Sequence, residues 1–309
     1  PDYNLGIGSG SHGYQTGRIM ETIEEVMMGE SPDWVIVYGD TNSTLAGAIT
    51  AAKCGFKVAH VESGLRSFDR SMPEETNRAI TDHVSDVLFA PTETAMRNLS
   101  REGLESRAVL VGDVMADLVL KSIPSLSVAQ DVERSWDVTS KEYVLLTLHR
   151  PCNVDSIERL RSILQCVAVL KWPVVFPVHP RTRARIQEFG LGSLLQRSSI
   201  ITVDPVGYLH MLTAVLGAKA IITDSGGLQK EAYILTTPCI TLRESTEWPE
   251  TLKLGWNTLA SPKAEEISRL VDDDPPAEHP MLFGDGHSAE RIVSHLCSLL
   301  VCGDDQVLA

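Results

Sequence analysis

Trp34–Arg78, WVIVYGDTNSTLAGAITAAKCGFKVAHVESGLRSFDRSMPEETNR, decides how the rest of the chain is read. Two apolar runs, Trp34–Tyr38 and Lys57–Val61, flank a helix of small residues from Ser43 to Cys54. That is the strand–helix–strand unit of a parallel sheet. Each run delivers a carboxylate where it stops, Asp40 after the first and Glu62 after the second. Ligands of parallel α/β sheets bind beyond the carboxyl ends of the strands, so both acids are expected to face one crevice, with Glu74 or Glu75 joining from a loop. Three acids around a cavity point to proton transfer. The bland alternative is three solvated loop carboxylates.

Outward from this stretch the alternation continues. Upstream, a helix is expected over Arg18–Met28. The glycines Gly8, Gly10 and Gly13 match G-x-G-x-x-G literally, but no full strand precedes them and Tyr14–Gly17 separates them from the helix, so they read as a flexible loop and not as a nucleotide turn. Downstream come a helix at Asn77–Val84, a strand at Val87–Ala90, a helix at Thr92–Glu102 and a strand at Ala108–Val111, ending beside a further acid, Asp113. Periodicity lapses over Ile123–Lys141, a linker signature, and then restarts. Strands are expected at Tyr143–Leu148, Val174–Val178, Ile200–Val203, Ala220–Thr223 and Cys239–Leu242, with helices between them. The fold class is therefore α/β, with two Rossmann-like doubly wound domains facing a cleft. The expected division is an N-terminal domain over 1–119, a nucleotide-binding domain over 120–286 and a C-terminal helix over 287–309 that packs back toward the first domain through Ile292, Val293, Leu296 and Leu299.

Composition narrows the partners. The 309 residues carry a formal charge of −14, with 43% apolar and 22% charged residues, which fits a globular protein and disfavours nucleic acid or an anionic membrane surface. No apolar run reaches membrane-span length. The six cysteines lack C-x-x-C spacing and read as free thiols of a reducing cytoplasm. No H-x-x-x-H, Cys cluster or dense Asp motif suggests a tightly held metal.

The second half supplies an anion site. Ile221–Gln229, IITDSGGLQ, runs from a strand through Ser225, Gly226 and Gly227 directly into a helix, and free backbone N–H groups at such a start suit a phosphate. The competing reading is that Ser225 only caps the helix. Glu231, further along that helix, is placed to accept from vicinal hydroxyls such as those of a ribose. His149 and His179 each end a strand with an arginine close by, in Leu-His149-Arg150-Pro and Val-His179-Pro-Arg181, and Arg243 occupies a comparable loop. Carboxylates on one wall and a nucleotide-phosphate site on the other describe a sugar-nucleotide cleft.

The segments GDTNSTLAGA, HVESGLRSFDRSMPEETNR, LTLHRP, FPVHPRT, DSGGLQKEA, LRESTEWPE and FGDGHSAERI, in this order, make the chain resemble the non-hydrolysing UDP-N-acetylglucosamine 2-epimerases. The resemblance implies a glycosyltransferase-B-like fold and inversion at the sugar C2, from UDP-N-acetylglucosamine to UDP-N-acetylmannosamine by elimination and re-addition of UDP, in the supply of cell-surface polysaccharide precursors. By similarity, Asp40, Glu62 and Glu74 are the acid/base carboxylates and His149 supports the diphosphate or its departure. Ser225 and Gly226 would hold the phosphates and Glu231 the ribose, with Arg66, Arg150, His179, Gly227 and Arg243 completing the UDP-binding set. The resemblance also implies a homodimer, a cytoplasmic location and no external cofactor, since the cleaved UDP returns to the same intermediate. Other readings are a glycosyltransferase of the same fold and a catalytically impaired UDP-sugar-binding protein.

Two departures stand out. The family opens with a strand and a Gly-Thr-Arg-Pro-Glu turn that are absent here, so Pro1 is expected to mark a first domain truncated at its N-terminus. Trp248 stands where many relatives carry Arg in Thr-Glu-Arg-Pro-Glu, which is expected to alter phosphate handling.

Overall fold

The computed structural model describes residues 1–123, 134–196 and 199–304. The chain divides into two α/β units, one comprising Pro1–Asp117 with Leu282–Ala309 and the other Leu118–Met281. The centre of the expected linker, residues 124–133, lies outside the described residues.

The first unit carries four parallel strands, β1 (Trp34–Tyr38), β2 (Lys57–Val61), β3 (Val87–Ala90) and β4 (Ala108–Leu110), in the order β1-β2-β3-β4. Register pairs Trp34 with Lys57 and Tyr38 with Val61, so both strands of the deciding stretch end level. The helix Asn42–Cys54 lies on this sheet by its small face: Ala46, Ala48 and Ala51 are fully buried, and a Cβ at Gly47 would stand 3.3 Å from Val37 Cγ1. Thr41 and Thr44 close a capping box at its start, satisfying N–H groups that the first turn leaves free.

Two expectations change here. Gly13 and Gly17 belong to a helix that runs from His12 to Glu30 and not to a loop. Its apolar face packs with the next helix, Met27 and Ile23 joining Ala48, Ala51, Val37 and Val58, and this burial outweighs the cost of about 1 kcal/mol that each glycine carries in a helix interior. Glu74 and Glu75 likewise lie in the first turn of the helix Pro73–Val84 and not in a loop. Proline at the first helical position and acids in the first turn are what a helix start favours, because neither the missing N–H nor the negative charge conflicts with the exposed N–H groups there.

The chain's last helix, Ser288–Asp304, belongs to this first unit. Ile292 and Leu296 are buried with Ala59, Val61, Val87, Phe89 and Val111. Asp117 accepts from the N–H groups of Ser288 at 3.0 Å and Ala289 at 2.8 Å, capping that helix. The approach is so close that a Cβ at Gly112, whose φ is +94°, would meet Ser288 Oγ at 2.6 Å.

The second unit has six parallel strands, β5 (Val144–Thr147), β6 (Val174–Pro177), β7 (Ile200–Val203), β8 (Ala220–Thr223), β9 (Cys239–Thr241) and β10 (Asn257–Leu259), in the order β10-β9-β8-β5-β6-β7. The last strand has only three residues and carries no period of its own, which is why the sequence shows five strands and the sheet six. Two layers of apolar side chains cover the sheet, one built on Leu146, Ile163 and Phe176 and the other on Leu145, Val175 and Val215. Strand order reverses between β5 and β8, and a doubly wound sheet opens its ligand crevice at such a point.

Candidate functional site

The functional side chains of the first unit stand where β1 and β2 stop. Gly39 adopts φ +66° and donates to Val61 O at 3.0 Å, tying the two strand ends together directly before Asp40 and Glu62. Glu62 itself has φ +73°, a left-handed conformation that few non-glycine residues adopt and that commonly marks a functional position. Its Oε2 lies 3.6 Å from where a Cβ on Gly39 would sit, so the second carboxylate leans over the turn that carries the first.

Arg78, which the sequence did not single out, organises this group. Its guanidinium pairs with Asp40 and, from Nη1, with Glu75 Oε2 at 3.1 Å. Asn77 donates to the Asp40 carbonyl at 2.8 Å. The helical period supplies the signal that would have found them, since Asn77 and Arg78 follow Glu74 by one turn on the face toward Asp40.

Glu74 and Glu75 part company. Glu75 is buried and accepts from Ser67 N (2.9 Å), Ser67 Oγ (2.8 Å), Phe68 N (3.0 Å) and Arg78. Burial pushes its carboxyl up, yet the Ser67 and Phe68 hydrogen bonds and the Arg78 charge outweigh this and hold it below its ordinary value. Glu74 is half-buried and has no hydrogen-bonding or ion-pair partner among the described residues, which leaves its carboxylate available.

Behind these acids runs a buried polar chain. His60 reaches Gly39 O through Nε2 at 2.8 Å and Asp82 through Nδ1 at 2.6 Å. Asp82 in turn pairs with Arg66 at 2.8 Å, and Arg66 forks onto Glu102 at 2.8 and 2.7 Å. Arg66 is 6% exposed, so its donors are spent within the first unit. Asp113 accepts from Met115 N at 2.7 Å at the start of the helix Val114–Lys121.

In the second unit, Asp224 follows β8 and is fully buried. It accepts from the backbone N–H groups of His149 (3.2 Å) and Arg150 (3.0 Å), from Asn153 Nδ2 (3.1 Å) and from His149 Nδ1 (3.0 Å). Burial raises its carboxyl, but His149, Asn153 and the Arg150 N–H together bring it below its ordinary value. Sequence reasoning quoted Asp224 within its motif and gave it no role. The signal was its place between the strand and Ser225, directly across from the end of β5.

His149 lines a cavity of about 300 Å³ together with His179, Ser225, Gly227, Glu231 and apolar walls that include Pro177, Val206 and Met211. The rings of His149 and His179 lie side by side with centroids 5.9 Å apart and their planes tilted by 47°. They are wired in opposite senses. His179 caps the helix Pro180–Glu188 by accepting from Arg181 N at Nδ1 (3.2 Å), which leaves its Nε2 to carry the proton, whereas His149 turns Nδ1 to a carboxylate. Glu231 is buried and receives the Tyr208 hydroxyl, and burial pushes its carboxyl up.

Ser225 caps the helix Gly226–Ile234, its Oγ accepting from Leu228 N at 3.3 Å. Cap and anion site coexist, because a single side chain satisfies one of several free N–H groups. A Cβ at Gly226 would lie 3.6 Å from Glu247 Oε2, 3.7 Å from Arg150 Nη2 and 3.9 Å from Arg243 Nη1, so two guanidinium groups flank the helix start. Arg243 is committed to Glu247 in a buried fork, while Arg150 has no ion pair among the described residues. Trp248 is 3% exposed and donates through Nε1 to Gly226 O at 3.1 Å, with Lys230 Nζ 4.4 Å above its ring. The tryptophan thus braces the glycine turn from behind, with a cation held against its face.

Two parallel α/β units, with strand-end acids in one and a guanidinium-flanked helix start in the other, match solved structures of glycosyltransferase-B-like fold. The sequence matches the UDP-N-acetylglucosamine 2-epimerase family over residues 1–297. A UDP-N-acetylglucosamine 2-epimerase of Methanocaldococcus jannaschii is 46% identical, with 95% of this chain and 83% of the relative covered. A UDP-2,3-diacetamido-2,3-dideoxy-D-glucuronate 2-epimerase of Pseudomonas aeruginosa is 42% identical, covering 97% and 84%. The crystal structure of the M. jannaschii epimerase with UDP-GlcNAc and UDP superposes with a TM-score of 0.86 at 45% identity, covering 96% of this chain and 84% of the other. The chain belongs to the UDP-N-acetylglucosamine 2-epimerase family, and its members are isomerases.

Proposed function

We propose that the protein interconverts UDP-N-acetylglucosamine and UDP-N-acetylmannosamine by eliminating UDP across C1 and C2, adding it back at C1 and returning the proton to the opposite face of C2. The observation that carries this reading is the level ending of β1 and β2, which sets Asp40 beside Glu62 across the Gly39 turn. The proton on C2 is poorly acidic, so the C1–O bond loosens first, and a nearby carboxylate removes the proton from a carbon next to a developing cation. Asp40, Glu62 and Glu74 are the carboxylates of this step. Glu75 is excluded from it, because its oxygens already hold Ser67, Phe68 and Arg78.

The second unit holds the nucleotide. The N–H groups of Gly226 and Gly227 with Arg150 take the diphosphate, Glu231 the ribose hydroxyls, and the two histidines meet the phosphate oxygens. Arg243 serves these groups through its pair with Glu247 against Gly226, whereas the donors of Arg66 are held by Asp82 and Glu102 within the first unit. A homodimer and a cytoplasmic location belong to the same proposal. No helix among the described residues is long and apolar enough to cross a membrane.

One observation favours a second substrate. The relative named for a diacetamido-glucuronate is nearly as similar as those named for UDP-N-acetylglucosamine, and both names specify C2. Offering the protein each nucleotide sugar, with the product read by proton NMR, tests the reading. Formation of the C2 epimer from UDP-N-acetylglucosamine supports it. Turnover of the diacetamido sugar alone transfers the assignment to that substrate, and calorimetric binding of both without turnover favours an impaired UDP-sugar-binding protein. Release of the sugar onto an added acceptor favours a glycosyltransferase.

A further inference from the structure

His149 has one nitrogen toward a buried carboxylate and one toward the cavity, and that asymmetry assigns its neighbour a part. Asp224 is fully buried, with four donors converging on its two oxygens: the N–H groups of His149 and Arg150, Asn153 Nδ2 and His149 Nδ1. An ionised carboxylate only accepts, so Nδ1 must carry the proton, and Nε2 is then the nitrogen left for the cavity. The backbone bonds fix the loop leaving β5 at the same time, so ring and main chain are held by one group. Asn153 is itself anchored, donating to Leu242 O at 3.0 Å and accepting from Arg159 Nε at 3.1 Å.

We propose that Asp224 is a positioning residue of the reaction, acting through His149 by fixing the Nδ1–H tautomer and balancing the charge of the ring when Nε2 is also protonated. The inference rests on the reading of His149 as the group that meets the departing diphosphate. A ring held this way turns Nε2 toward the oxygen that gains charge as the C1–O bond breaks, with no rotamer left to select in the transition state. The other polar groups around the ring are His179 from the end of β6, Arg150 on its own loop, and Ser225 and Glu231 from the helix after β8. None of them accepts from Nδ1.

Long-range nitrogen–proton NMR of the wild-type protein reads the tautomer without any turnover. The expected result is His149 protonated at Nδ1 when neutral, and a neutral ring protonated at Nε2 overturns the proposal. Asp224→Asn supplies the second arm. Its amide can turn an NH2 toward the ring, so the expected result is a shift toward the Nε2–H tautomer, with kcat lower by about tenfold or more and KM changed much less. Unaltered tautomer and kcat in a folded Asp224→Asn protein also overturn it. Should that variant fail to fold, the wild-type spectrum still decides. A protein with no epimerase activity would refute the proposed reaction, yet the tautomer would still report whether Asp224 directs the ring.

Discussion

Arg243 and Glu247 form a two-point ion pair, Nη1 to Oε2 and Nη2 to Oε1 both at 2.9 Å, with each side chain 5% exposed. The pair lies against Gly226, so the cation that the sequence offers to the phosphates arrives already neutralised. Its neighbour Arg150, which has no ion pair among the described residues, is the charge left for a ligand. Removing one partner of a buried pair strands the other, which costs about 3–5 kcal/mol. Arg243→Met is therefore expected to lower the denaturation midpoint strongly. Arg150→Ala should alter stability by no more than about 0.5 kcal/mol while weakening UDP binding about tenfold or more by calorimetry. Equal effects of the two substitutions on UDP binding, with no difference in stability, would refute the division of labour.

Arg78 links Asp40 to Glu75. A lysine has a single charged nitrogen and cannot reproduce the planar fork. Arg78→Lys is expected to reduce kcat by about tenfold or more while leaving UDP affinity close to wild type, since nucleotide contacts are assigned to the other unit. Steady-state kinetics with calorimetry on the same preparation checks this, and a pure loss of UDP affinity would contradict it.

Glu75 gives a signed pH dependence. Its folded-state carboxyl lies below the ordinary value of 4.5, so the stability it contributes is fully present above that value and is lost as pH falls through the folded one. Denaturant titrations of wild type and Glu75→Gln should therefore differ most near neutrality and converge in acid. Glu74→Gln should behave in the opposite way, with wild-type stability and reduced turnover. A stability gap for Glu75→Gln that persists unchanged to pH 3 would be inconsistent with these contacts.

Glu231 runs the other way. Burial raises its carboxyl in the fold, so ionising it costs stability once pH exceeds the unfolded value, and that cost disappears below it. Glu231→Gln should melt at a higher temperature than wild type at pH 8 and bind UDP more weakly, as groups kept for binding at the expense of stability do. A lower melting temperature with unchanged UDP affinity would exclude this role.

Much of the fold was legible because strands such as Ala220–Thr223 and helices such as Asn42–Cys54 carry strong local patterns and end in turn residues that declare themselves. Positions of Asp40, Glu62, His149 and Ser225 followed from the rule that parallel strands present their carboxyl ends to the ligand. What was hidden is pairwise. Nothing local distinguishes Glu74 from Glu75, and only packing of the Ser67–Phe68 loop decides which one is spent. Arg66, Arg78 and Arg243 look alike as exposed cations in sequence, yet burial commits each to a carboxylate, Arg66 to Asp82 and Glu102 far along the chain. Asp224 was visible and unassigned because its partners, His149 and Arg150, lie about 75 residues away and meet it only through the β5–β8 pairing. Gly13 and Gly17 misled because tertiary burial of the Ile23 and Met27 face overrides their poor helix propensity.

The central claim is that the strand-end carboxylates exchange the C2 proton with solvent while UDP departs and returns. Turning the protein over with UDP-N-acetylglucosamine in deuterium oxide and reading the sugar by NMR tests it most directly. The account predicts deuterium at C2 in both epimers at equilibrium, and no label in Asp40→Asn. Epimer formed with protium retained at C2 would contradict it.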